Sequence, residues 1–116
     1  MSDPFHLSSQ YIVTNGNMSS SINSLPINLD EGTSYSVHAS YTGTPVGTLQ
    51  LQCSDDYDPV LGTGTWTIIT DSVRGISAAG SYMINVEFPA YSWVRLQYVS
   101  ISSVGIMNAK LNQKRR

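Results

Sequence analysis

Apolar and polar residues alternate along most of this chain. In SYSVHASY, Tyr35, Val37, Ala39 and Tyr41 alternate with Ser34, Ser36, His38 and Ser40. In TLQLQC, Leu49, Leu51 and Cys53 alternate with Thr48, Gln50 and Gln52. SYMINVEF sets Tyr82, Ile84, Val86 and Phe88 against Ser81, Met83, Asn85 and Glu87. WVRLQYV sets Val94, Leu96 and Tyr98 against Trp93, Arg95, Gln97 and Val99, and IMNAKL repeats the pattern with Met107, Ala109 and Leu111. A period of two puts one set on a core face and the other outside, which predicts half-buried β-strands. QYIVT and TWTIIT are further candidates with less regular alternation.

Turn chemistry separates these runs: NGN, DEGT, GTPVG, LGTG, AAG and FPA. Helical signals are weak, because Pro26 and the serines of MSSSINSLPINL oppose any long helix. The chain of 116 residues suits one domain. About seven short strands with regular breaks predict an all-β fold, an antiparallel β-sandwich or jelly-roll-like single domain. Residues 10–111 form the expected sandwich, with an N-terminal arm over 1–9 and a basic C-terminal tail over 112–116. Within it, the GTPVG loop is expected to close a hairpin between Tyr35–Tyr41 and Thr48–Cys53.

Composition adds a bias toward association. Charged residues make up 12% of the chain, against a usual share of roughly 25%. Little repulsion or desolvation then opposes contact with another surface. The few charges are also unevenly placed. Residues 1–71 hold Asp3, Asp30, Glu31, Asp55, Asp56, Asp58 and Asp71 with no lysine or arginine. Residues 72–116 hold Arg74, Arg95, Lys110, Lys114, Arg115 and Arg116 against Glu87 alone. The halves carry formal charges of −7 and +5, giving the overall −2. Opposite patches of this kind suit contacts between copies or with a partner.

Cys53 is the only cysteine, so it has no internal disulfide partner and builds no thiolate metal site alone. No apolar run approaches the roughly 20 residues of a membrane span. MSDPFHLSSQ has neither a basic n-region nor an apolar h-region, so no signal peptide is expected.

Catalytic and ligand signatures do not assemble. GTPVG is not a phosphate loop: no lysine is near it, and a strand rather than a helix follows. Asp55, Asp56 and Asp58 are of the type that suits calcium, but the loop lacks the EF-hand order of ligands. They read as turn-forming residues at a strand end. His6 lies in the arm, and His38 lies on a polar strand face with no elbow serine or third triad partner. Glu87 and Asp71 have no spacing that marks an acid–base pair. No enzyme activity, cofactor or metal is therefore expected. Trp66, Trp93, Tyr57 and Tyr91 could make an aromatic platform, with Tyr57, Tyr91 and Trp93 the surface candidates. Only Arg95 lies near Trp93, which speaks against a nucleic-acid groove. The contact candidates are apolar or basic residues in otherwise arm-like segments: Pro4, Phe5, His6 and Leu7 at one end, and Lys114, Arg115 and Arg116 at the other.

Three stretches carry a resemblance: YSVHASYTGTPVGTLQLQCSDD, TWTIITDS, and ISAAGSYMINVEFPAYSWVRLQYVSISSVGIMNAKLN. Together they resemble small β-sandwich structural proteins of tailed bacteriophages, of the head decoration or cement type. The likeness spans about Ser34 to Lys114 and is one of strands and turns, with no active site to transfer. CSDDYDPVLGTGTW departs from the pattern, with Cys53 at a small-residue place and a longer loop to Trp66. The resemblance implies a virion protein made in the host cytoplasm, most directly one that binds the assembled head and stabilises contacts between capsid subunits. Its implied partners are the major capsid protein or other virion proteins, and a homo-oligomer (dimer or trimer), with no membrane or nucleic acid. The alternative is a carbohydrate- or receptor-binding module associated with a tail or neck.

Overall fold

The computed structural model describes residues 6–29, 33–87, 89–102 and 104–115. Among these residues ten strands are present: β1 (His6–Asn17), β2 (Ile22–Asn23), β3 (Ile27–Asn28), β4 (Thr33–Tyr41), β5 (Gly47–Ser54), β6 (Thr67–Ile68), β7 (Arg74–Ile76), β8 (Gly80–Val86), β9 (Trp93–Ser100) and β10 (Ile106–Arg115). One 3₁₀ turn, Thr70–Ser72, lies between β6 and β7. The strands form two antiparallel sheets. Sheet A has the order β1-β10-β4-β8. Sheet B runs β2-β9-β5-β6, with β3 also on β9 and β7 also on β5.

β2 and β3 together make one broken strand, and β6 and β7 another. Eight strands then alternate between two four-stranded layers, and only β5 and its successor stay in the same sheet. This is jelly-roll topology. The all-β sandwich expected from the alternation is thus the fold. Most residues the alternation selects are buried: Tyr35, Val37, Ala39 and Tyr41 from β4, Leu49 and Leu51 from β5, Tyr82 from β8, Val94, Leu96 and Tyr98 from β9, and Met107, Ala109 and Leu111 from β10. Cys53, Ile84 and Val86 are only half-buried, Phe88 lies outside the described residues, and Ile12, Val13, Met18, Ile27, Leu29 and Ile76 add to the core from less regular stretches.

Several expectations change. GTPVG does not close a hairpin, because β4 and β5 belong to different sheets. The loop carries the chain across the end of the sandwich and is clasped by the turn before β10. Thr44 N–H donates to Val104 O at 2.7 Å, and Thr42 N–H donates to Ile106 O at 3.0 Å. Gly43 has a φ of 81°, and a Cβ there would overlap the Val104 carbonyl. Glycine serves this close approach rather than a two-residue turn.

The polar face of β5 also differs. Gln50 and Gln52 are each only 8% exposed, because β9 side chains cover them. Residues 6–9 and 112–115, read as arm and tail, are the paired ends of β1 and β10, with His6 opposite Arg115 and Ser9 opposite Asn112. The pairing of β10 continues to Arg115 on its other side too, where β4 flanks it with Thr33 opposite Arg115. QYIVT alternates poorly because β1 is bulged, with register shifts between Tyr11 and Val13 and between Val13 and Gly16. A bulge adds a residue and lets neighbours Ile12 and Val13 both turn inward.

Buried serines fill the gaps in the two broken edges. Between β2 and β3, Ser24 N–H donates to Leu96 O at 2.8 Å, and Ser24 Oγ accepts Leu96 N–H at 2.8 Å. Between β6 and β7, Ser72 Oγ accepts Leu51 N–H at 2.8 Å. Each hydroxyl supplies the acceptor that a missing strand carbonyl would have supplied.

Candidate functional site

The outer face of sheet B gathers the aromatic candidates. Trp93 is out of phase with Val94, Leu96 and Tyr98, so it points away from the core at the start of β9. Register places Ser54 opposite Trp93, Gln52 opposite Arg95 and Gln50 opposite Gln97. The 55–66 loop folds back over this row. Tyr57 stands between the two indoles, with its ring centroid 4.9 Å from Trp93 at 66° and 5.3 Å from Trp66 at 50°. The Arg95 guanidinium lies 4.3 Å from the Trp66 ring centroid, and its Nε donates to Gln52 Oε1 at 2.7 Å. Burial holds the Arg95 pKa below its ordinary value. Gln50 Nε2 donates to Gln97 Oε1 at 2.6 Å, and Gln97 Nε2 donates to Asn23 Oδ1 at 3.1 Å. The result is a half-buried aromatic cluster beside a row of planar polar groups. Flat rings with adjacent amides and a guanidinium suit stacking plus directional hydrogen bonding.

Tyr91 is not part of this cluster. It packs against the core, and its hydroxyl lies 2.6 Å from that of Tyr35. Reading Tyr91 as a surface aromatic therefore gives way to a half-buried role joining the two sheets. Trp66 and Arg95 complete the cluster. The sequence marked both residues, but only the folded-back loop puts them on one another.

The acidic loop uses its carboxylates internally. Asp55 Oδ1 accepts Ser92 N–H at 2.9 Å. Asp56 Oδ1 accepts Thr65 N–H at 2.7 Å and Ser54 Oγ–H at 2.9 Å, and these bonds hold its pKa below the usual carboxylate value. Asp58 Oδ1 accepts Val60 N–H at 2.9 Å. Asp56 and Asp58 thus brace the turns of their own loop, as expected, whereas Asp55 ties the loop to the segment that leads into β9. No group of three or more His, Cys, Asp or Glu side chains able to hold a metal occurs among the described residues.

The terminal contact candidates come together in part. Leu7 lies opposite Lys114 and His6 opposite Arg115, so the two segments are adjacent strands at one end of sheet A. Pro4, Phe5 and Arg116 lie outside the described residues. Trp93 is at the same end of the sandwich, since Gln113 Nε2 donates to the carbonyl of Asn28, the strand neighbour of Trp93. His38 is exposed at the centre of the outer face of sheet A, opposite Lys110 and Met83. It lines a groove of about 510 Å³ with Tyr11, Thr14, Ser40, Asn108 and Lys110. Glu87 follows β8 in sheet A while Asp71 sits in the 3₁₀ turn beside sheet B, so they lie on different layers.

No family model matches the chain, and no curated protein matches it in sequence. Solved structures share its fold. It is similar to YomS, a protein derived from the SPBc2 prophage, with a TM-score of 0.62, 10% identity, and coverage of 98% of this chain and 97% of that one. It is similar to the VP2 subviral particle of infectious bursal disease virus, with a TM-score of 0.57, 14% identity and 99% of this chain covered, spanning 33% of the VP2 chain. It is also similar to a promiscuous carbohydrate-binding module of the β-sandwich superfamily, with a TM-score of 0.51, 12% identity, and coverage of 92% of this chain and 54% of that one. The chain therefore shares its architecture with a prophage-derived protein, a viral particle protein and a carbohydrate-binding module.

Proposed function

We propose that this chain is a structural component of a bacteriophage virion, and specifically a decoration protein that binds the assembled head and ties capsid subunits together. One observation carries the reading. The described residues form a single jelly roll, and the likeness to a prophage-derived protein covers 98% of this chain and 97% of that one. The strand-and-turn resemblance of residues 34–114 to phage structural proteins supports it from the sequence side. The action is passive: a protein that binds only the assembled shell stabilises that shell by mass action. The contact surface is the end of sheet A, where the backbones of His6 and Leu7 run beside those of Arg115 and Lys114. Pro4, Phe5 and Arg116, neighbours of these segments in the sequence, are proposed as further contact residues.

Fractionation of disrupted virions from the phage that encodes the chain tests this reading, using an antibody against the purified protein. Presence in the head fraction is expected. Absence from every particle fraction would overturn the virion reading, and presence in tails alone would overturn decoration.

A second reading has its own observation, the Tyr57, Trp66, Trp93 and Arg95 cluster on sheet B. An aromatic cluster beside polar planar groups fits a carbohydrate- or receptor-binding module of a tail or neck. A glycan array probed with wild type and W93A separates the two. Binding lost in W93A supports the module, and a silent array removes it.

A further inference from the structure

The edges of the two sheets are not alike. One edge of sheet B is β2 and β3, two residues each, interrupted at Pro26. Its other edge is β6 and β7, two and three residues long, interrupted by the 3₁₀ turn. One edge of sheet A is β1, which carries two register shifts. Short pieces, proline and bulges are the devices by which sheet proteins prevent strands of other molecules from adding on.

β8 carries none of these devices. It runs seven residues, Gly80–Val86. Its pairing with β4 is continuous from Val86 opposite Tyr35 to Gly80 opposite Tyr41. GSYMINV contains no charge and no proline, and Met83 at its centre is 54% exposed on the outer face. No strand flanks it on its free side among the described residues.

We propose that β8 is a self-association edge: two copies pair their β8 strands antiparallel about a two-fold axis at Met83, joining two four-stranded sheets into one of eight. The occupant is a second copy because the strand is its own complement under a two-fold. Met83 is the midpoint of Gly80–Val86. In the register that pairs the full strand, Ser81 of one copy faces Asn85 of the other, and Met83 faces Met83. The next charged residue, Glu87, falls beyond the paired stretch and opposite Ala79, so no like charges meet. The Ser81 carbonyl accepts the Tyr41 hydroxyl at 3.3 Å and keeps a second lone pair for a partner. In a chain with 12% charged residues, little repulsion opposes this contact.

The test uses the purified full chain and does not depend on the virion reading. Sedimentation velocity across a concentration series should show a monomer–dimer equilibrium for wild type. M83K and M83E place like charges at the two-fold, and each should weaken the dimer at least about tenfold. Because Met83 projects outward, both variants should keep the wild-type circular dichroism. Mixing them in equal amounts should restore a dimer, seen by native mass spectrometry as the mixed species. Hydrogen exchange should show β8 amides protected in concentrated wild type and released in M83K. A wild type that stays monomeric throughout, or a dimer indifferent to both charges, would overturn the proposal.

Discussion

The Ser72 hydroxyl oxygen accepts the Leu51 amide at 2.8 Å, standing where a strand carbonyl would stand. The same hydroxyl donates to Ile69 O at 2.5 Å, and the Ser72 carbonyl accepts the Tyr82 hydroxyl at 2.7 Å. One buried serine therefore holds the 3₁₀ turn to a central strand of sheet B and to the edge strand of sheet A. S72A would leave a buried amide unpaired, which costs about 1–3 kcal/mol. Urea unfolding should show that loss, while S77A, at an exposed position, should change stability by less than about 0.5 kcal/mol.

Tyrosine burial sets a limit on the alkaline side. Burial pushes the Tyr35 hydroxyl far above its ordinary value, with the Tyr91 hydrogen bond adding to the effect. Burial also raises Tyr91 and Tyr82. Because these folded-state values exceed the unfolded value of about 10, the neutral forms favour the fold. That stability is fully present below about pH 10 and is lost as pH rises through the folded values. Tyrosinate absorbance and loss of β-sheet circular dichroism should rise together above pH 10, and Y35F should weaken the coupling.

The two tryptophans of the chain, Trp66 and Trp93, both lie in the sheet B cluster, so tryptophan emission excited selectively at the red edge reports on that surface. R95A removes the cation over Trp66 and the bond to Gln52, and should cost about 1 kcal/mol with a shift in Trp emission. R95K keeps the charge but not the planar fork, and should recover only part of both.

Two glycines with positive φ should respond differently to alanine. Gly43, with a φ of 81°, packs against the Val104 carbonyl, whereas Gly62, with a φ of 70°, faces open space. G62A should cost about 1 kcal/mol for the left-handed backbone alone. G43A adds a backbone overlap and should cost about 2 kcal/mol or more. Thermal unfolding of the two variants side by side checks the order.

The 55–66 loop should depend on one carboxylate. D56A removes the acceptor for Thr65 N–H and for the Ser54 hydroxyl. Hydrogen exchange at Thr65 should quicken markedly, with the core strands unchanged. Hydrogen bonding lowers the folded pKa of Asp56 from 3.8. This contribution is therefore present above that value and fades as pH falls through the folded pKa.

How much of this was legible in the sequence follows from what alternation reports. A period of two states which face of a strand each side chain occupies, because successive Cβ atoms point to opposite sides. Tyr35, Val37, Leu49, Leu51, Val94, Leu96, Met107 and Leu111 are accordingly buried as expected. Turn residues marked where strands end, and the absence of helical periodicity gave the all-β class. Alternation is silent on which strand lies alongside. GTPVG looked like a hairpin because a glycine–proline loop between two strands has the same local chemistry whether the next strand pairs or crosses to the other sheet. Tertiary pairing decided that β4 joins β10 and β8 while β5 joins β9. The same long-range pairing laid β1 along β10, buried Gln50 and Gln52 against Gln97 and Arg95, and brought Tyr57 between Trp66 and Trp93. Each of these depends on contacts between residues far apart in sequence, which local periodicity does not encode.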